Sequence, residues 1–80
     1  MLDWKEHITA DPKILNGKPI IKGTRISIEF LIERLADGWT EEEIFENYPH
    51  ISKIHLQAVY AYVYTCMKDG LLFIPKKMVA

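Results

Sequence analysis

Three cations stand close together in the segment 16–26, Asn-Gly-Lys-Pro-Ile-Ile-Lys-Gly-Thr-Arg-Ile: Lys18, Lys22 and Arg25. Set among two glycines, a proline and an apolar pair, they point to a loop that faces an anion or an acidic partner. The pattern is not a phosphate-binding P-loop, in which a lysine and then a hydroxyl residue follow the second glycine at a fixed spacing. Here five residues separate Gly17 from Gly23, Lys22 precedes that glycine and Thr24 follows it directly. A purely structural use fits the same residues equally well. Gly23 permits a turn, Thr24 satisfies a loose backbone amide, and Arg25 clamps carboxylates on the first two helices.

The remaining chemistry-bearing residues lead to ordinary roles. Glu41, Glu42, Glu43 and Glu46 suggest an acid–base or metal cluster, yet acids also collect in the first turn of a helix because its amide end is positive. His7 lacks a ligand partner at metal spacing and reads as solvated, like Lys5; His50 and His55 straddle a turn with no carboxylate suitably placed. Cys66, the one cysteine, excludes an internal disulfide, fits a reducing cytoplasm and reads as packing within an apolar segment. No nucleophile, base and oxyanion donor come together, so the sequence predicts no enzyme and calls for no cofactor.

The elements that position these groups are legible from periodicity. Asn16-Gly17 between short apolar runs signals a tight hairpin, with Ile14-Leu15 and residues 18–21 as its arms; Ile8-Thr9 adds a short strand to this ribbon. From Ser27 the period changes from two to 3.6. Ile28, Leu31, Ile32 and Leu35 share one helical face, Ser27 caps the start and Gly38 ends the helix. A capping box at Thr40 and Glu43, with Trp39 and Ile44 as a hydrophobic staple, opens a second helix that stops before Pro49. Ser52 caps a third, running to about Asp69 and closed by Gly70. That helix is apolar nearly all round, a pattern that demands burial on more than one side. A homodimer through Val59, Tyr60, Val63, Tyr64 and Met67 meets the demand, and a tail folded over the same face is the alternative.

The residues 8–64 resemble the domain of unknown function 433 family of small prokaryotic proteins. The resemblance rests on Asp11-Pro12, Gly17-Lys18-Pro19-Ile20-Ile21-Lys22-Gly23-Thr24-Arg25-Ile26, Leu35-Ala36-Asp37-Gly38, Glu42-Glu43-Ile44 and Tyr48-Pro49. It implies a helix-turn-helix-like fold that dimerises. It also implies a role as the antitoxin of a toxin–antitoxin pair, beside a small nuclease-like toxin. It supplies no catalytic residues.

The expected architecture is mainly α: a three-helix, helix-turn-helix-like (homeodomain-like) domain with a small N-terminal β-ribbon. Residues 1–70 form one domain, with the ribbon in 1–26 and the helices in 27–70, and 71–80 form a tail. Eighty residues sit near the lower limit for a single core without staples. Neither a secretion signal nor a membrane span is evident, which suggests a cytoplasmic protein.

Charge then separates the function classes. The net charge of −1 conceals basic ends and an acidic middle, whereas a dedicated nucleic-acid binder carries a basic recognition surface. As a helix-turn-helix, the chain would present Lys53, His55 and Gln57 to the major groove, Gln57 reading adenine and Lys53 guanine or a phosphate. As a neutraliser, it would offer Lys18, Lys22, Arg25 and the tail residues Lys76 and Lys77 to the acidic site of a toxin. The family resemblance implies an antitoxin that binds its toxin directly, with the charge segregation as mild support and weak binding to its own operator DNA as a secondary expectation. A stand-alone DNA-binding regulator and a dimeric adaptor with neither activity are the alternatives.

Overall fold

The computed structural model describes residues 1–71. The tail from Leu72 onward, with Lys76 and Lys77, lies outside the described residues. The fold is mainly α: two short strands, β1 (Ile8–Thr9) and β2 (Ile20–Ile21), precede three helices, α1 (Ile28–Ala36), α2 (Glu41–Asn47) and α3 (Lys53–Lys68). Strands β1 and β2 pair antiparallel, with Ile8 opposite Ile21 and Thr9 opposite Ile20.

The ribbon forms, but not with the expected arms. Residues 14–15 do not pair with 18–21. Leu15–Gly17 coil into a 3-10 turn in which Leu15, Asn16 and Gly17 all take positive φ, at 49°, 57° and 82°. Two physical reasons favour this outcome. Pro19 has no N–H to give a hairpin ladder at that point, and Ile8, unlike Ile14, is fully covered when it pairs with Ile21. The tight reversal lies instead at Gly23, whose φ is 80°. Around it Ile21 N–H donates to the Ile26 carbonyl (3.0 Å), Ile28 N–H donates to Pro19 (3.0 Å), and Ile20 bridges Ser27. The Thr24 hydroxyl donates to the Ile21 carbonyl at 2.8 Å and accepts from Ile26 N–H at 3.0 Å. Thr24 thus does the backbone-satisfying work expected of it.

Helix α1 begins where Ser27 Oγ accepts from Phe30 N–H at 2.9 Å. Ile28 and Leu31 enter the core; Ile32, expected on the same face, is 36% exposed. Phe30, outside the expected stripe, packs against the core instead. Thr40 and Glu43 form the capping box of α2, each bond at 3.1 Å, and Trp39 and Ile44 both pack in the core cluster. The chain leaves α2 at Tyr48, one residue before Pro49. Ser52 stands at the N-cap of α3, and the bond that closes this end comes from its backbone: Ser52 N–H donates to His55 Nδ1 at 3.0 Å.

One core joins all these elements: Ile8, Ile21, Ile28, Leu31, Ile44, Ile51, Leu56, Ala58 and Val59. Each large aliphatic side chain sealed in it contributes about 1.5–3 kcal/mol of transfer free energy. The N-terminus is anchored as well. Trp4 Nε1 donates to Thr65 Oγ1 at 3.2 Å and its ring meets Tyr62 edge-on at 4.9 Å. Its partner residues lie on the second half of α3, which relieves part of that helix's need for cover. Val59 is corrected from an interface residue to a core residue, sealed in the common core with no exposed surface, and Val63 is half-buried against the core.

Leu56 is fully buried at the centre of this core. Leu56→Ala should destabilise the fold by about 2–5 kcal/mol, whereas Ile32→Ala should change stability by less than about 1 kcal/mol. Urea denaturation of the two variants beside the parent checks both.

Candidate functional site

The reversal at Gly23 sets out the three expected cations in different ways. Lys18 pairs with Glu29 of α1 at 2.7 Å, both side chains largely in water. Lys22 is exposed, and its backbone N–H is held by the His7 carbonyl at 2.9 Å. Arg25 is exposed and, among the described residues, makes no ion pair. The expected clamp from Arg25 to the helices is thus not formed.

Arg34, which the sequence did not single out, instead gathers the carboxylates at the end of α1. Its guanidinium lies 4.4 Å above the Phe30 ring centroid and 5.9 Å from that of Trp39, with Glu33 and Asp37 at 3.3 and 3.7 Å. Stacking on a ring contributes about 0.5–1 kcal/mol at such a site, similar to the upper range of an exposed carboxylate contact. Tyr48 completes an aromatic cluster, edge-on to Phe30 at 5.3 Å and stacked on Trp39 at 6.1 Å.

Between the cationic reversal and this cluster lies an open cleft of about 440 Å³. Phe30, Tyr48 and Ile26 line its apolar part; Lys18, Arg25 and Ser27 line its polar part; Leu15 and Asn16 line it as well. Leu15 is 43% exposed with φ at 49°, an uncommon backbone conformation for a branched residue and one that clusters at ligand sites. Arg25 also borders a second cleft, lined by Asp11, Ile14 and Thr24. The arrangement suits an extended ligand with an apolar side chain beside a carboxylate: ring faces receive the first and Arg25 the second. Phe30 and Tyr48 were not expected here. The available signal was an aromatic placed off the apolar stripe of α1.

The other expected positions separate. Lys53 and Gln57 are exposed on the first turns of α3. His55 is half-buried, its Nδ1 taken up by the Ser52 N–H. His7, expected in solvent, is half-buried, its ring 6.1 Å from that of His55. Tyr60, Tyr64 and Met67 are 42%, 51% and 60% exposed along α3. The Tyr60 hydroxyl donates to Glu41 at 2.7 Å, and burial, then that bond and the carboxylate's charge, push its pKa up to about 12. Among the described residues no group of three or more His, Cys, Asp or Glu could hold a metal ion. No described helix is long and apolar enough to cross a membrane.

Burial, and secondarily the neighbouring His7, lower the His55 pKa below the usual 6.5. The folded state then binds the proton less readily than the unfolded state, so His55 contributes stability above about pH 6.5 that is lost as pH falls below it. Glutamine at the same position accepts the Ser52 N–H without titrating. His55→Gln should match the parent in melting temperature at pH 7.5 and lose less than the parent at pH 5.0. Thermal melts at the two pH values check the difference.

Comparison with known proteins agrees with this fold. The sequence pattern of a family described as "Protein of unknown function (DUF433)" matches residues 8–63. An uncharacterized protein, y4eO, of Sinorhizobium fredii (strain NBRC 101917 / NGR234) is 34% identical over 59 residues, 71% of this chain and 27% of that protein. The chain thus spans about a quarter of the length of that curated relative. The crystal structure of a DUF433 member from Anabaena variabilis ATCC 29413 superposes with a TM-score of 0.71 at 26% identity, covering 78% of this chain and 61% of the other.

Proposed function

This chain belongs to the DUF433 family, and on that premise we propose that it is a binding protein, the antitoxin of a toxin–antitoxin pair. It acts by occupying an acidic segment of a small nuclease-like toxin. The antitoxin role comes from the family resemblance. The observation that carries the binding site is Arg25, exposed at the lip of an aromatic-lined cleft with no carboxylate partner among the described residues. An arginine at the edge of a protected apolar cleft is the usual anchor of a protein interface. Lys18 adds positive charge at the same lip, although Glu29 competes for it. Lys22 does not line this cleft and adds to the field around it.

A second reading, operator binding as a stand-alone regulator or together with the toxin, is favoured by Lys53 and Gln57, exposed one turn apart on α3. Two features of the same face weigh against it. His55 is committed to the helix cap. Glu41, joined to Tyr60, brings the acidic start of α2 beside α3, where phosphates would be repelled.

A tagged full chain, returned to its native host and recovered at near-physiological salt, should bring down a stoichiometric small protein with clustered carboxylates. Arg25→Ala should weaken that capture by about tenfold or more, with the far-ultraviolet circular dichroism unchanged. Capture by Arg25→Ala equal to the parent's overturns the cleft as the site. Recovery of DNA alone, with affinity falling steeply as salt rises, supports the regulator instead.

A further inference from the structure

The cleft beside Arg25 also holds a main-chain donor without a partner. Ser27 bridges Ile20 as an antiparallel pair, and the bonds that enclose the pair run from Ile21 N–H to Ile26 and from Ile28 N–H to Pro19, each at 3.0 Å. A pair enclosed in this way exchanges no bonds of its own, so the Ser27 N–H and C=O are directed away from β2. The carbonyl is taken by Leu31 N–H at 3.2 Å. The N–H has no acceptor among the described residues. Ser27 Oγ accepts from Phe30 N–H, and its own proton likewise meets no acceptor among the described residues. Yet Ser27 is only 7% exposed, and it lines the cleft. A donor left unpaired at such depth costs about 1–3 kcal/mol, a cost that a carbonyl entering the cleft removes.

The surroundings of Ser27 say what kind of molecule brings that carbonyl. Arg25 lines this cleft and also a second one of about 540 Å³, with Thr9, Asp11 and Ile14, so the two openings share a border at its side chain. A small acid fills one of them; an extended chain crosses both and can set a carboxylate at Arg25 on the way. The rings of Phe30 and Tyr48, edge-on at 5.3 Å, line the first cleft and receive an apolar side chain. Ser27 and Phe30 also border a smaller recess with Glu29 and Glu33. A nucleic-acid strand, with a phosphate at every nucleotide, meets those glutamates. A polypeptide can carry its acid at the Arg25 end alone.

We propose that the cleft takes an extended polypeptide segment by its main chain: a backbone carbonyl accepts from Ser27 N–H, an apolar side chain beside it rests on Phe30 and Tyr48, and an acidic residue pairs with Arg25. This rests on the reading of the cleft as the protein-binding site and adds the form that the partner takes there. Recognition of this kind draws affinity from main-chain hydrogen bonds and selectivity from the pockets beside them. One donor supports a short match, an apolar residue with an acid close by, and not a long added strand. The Ser27 amide is the feature that sets this mode apart from contact through side chains alone.

The test uses the full chain, isotope-labelled for nuclear magnetic resonance, and two peptides with blocked ends. These are acetyl-Asp-Asp-Leu-Ser-Ser-amide and acetyl-Ser-Ser-Leu-Asp-Asp-amide, which place the acids before and after the leucine. One of the two should shift the Ser27 amide signal and, at saturation, slow its hydrogen exchange by about tenfold. The ring signals of Phe30 and Tyr48 should move over the same titration. Arg25→Gln in the protein, or alanine for leucine in the peptide, should weaken that binding by about tenfold or more. Failure of both peptides to move the Ser27 amide overturns the proposal; capture from the host that still depends on Arg25 then leaves the cleft as a site bound in another way. Peptide binding at Ser27 with no acidic small protein captured supports the proposal and removes the antitoxin reading instead. Tighter binding of a uridine hexanucleotide at the same signals overturns it in favour of a nucleic-acid strand.

Discussion

The backbone stitching across the Gly23 reversal is the constraint on which the rest of the structure depends. Ile21 N–H to Ile26, Ile28 N–H to Pro19, and the two bonds of the Thr24 hydroxyl close a loop too short to have its own core. It is held because Ile21 and Ile28 are driven into the common core and Ile20 is buried beside the loop. That burial fixes where α1 begins, since Ser27 both bridges Ile20 and caps the helix. With α1 set, Phe30 and Arg34 take up their places beside Trp39 and Tyr48, and a cleft is left between them and the loop. Arg25 stands exposed at the lip of that cleft.

Two arginines therefore divide the work that one was expected to do. Arg34 rests on aromatic faces and holds the α1–α2 corner, where a planar, weakly hydrated cation is well suited. Arg25 stays in water at a cleft edge, available to a carboxylate from outside. The acidic residues show a similar division. Glu43 closes a helix cap and Glu29 takes Lys18, while Glu41 meets Tyr60 of α3. The cation Arg25 at the cleft and the acid Glu41 beside α3 thus stand in different surroundings.

Helices were the legible part of the sequence because their signals are local. Ser27, Thr40 and Glu43 cap where their types and spacing say they should, and Pro49 stops α2 as its chemistry requires. The β-ribbon was legible only in part. Asn16-Gly17 carries a true positive-φ signal, but Leu15 joins it in the left-handed region, and the pairing was decided by which isoleucines the distant helices could cover. Periodicity likewise placed Ile32 inward and Val59 outward; the common core seals Val59 instead, and Trp4 packs on Tyr62 and Thr65 further along α3. The candidate site was visible as a run of cations and not as a cleft. Its apolar half, Phe30 and Tyr48, comes from two different helix ends that only the fold brings together.

The central claim is that the Gly23 reversal is as firmly held as the core and so presents Arg25 outward as a fixed group. Native-state amide hydrogen exchange tests it directly. The account predicts that the amides of Ile21, Ile26 and Ile28 exchange only by global unfolding, with the same protection free energy as Leu56 and Val59 in α3. Exchange of these three amides orders of magnitude faster than that of α3, as for a loop that opens on its own, would contradict it.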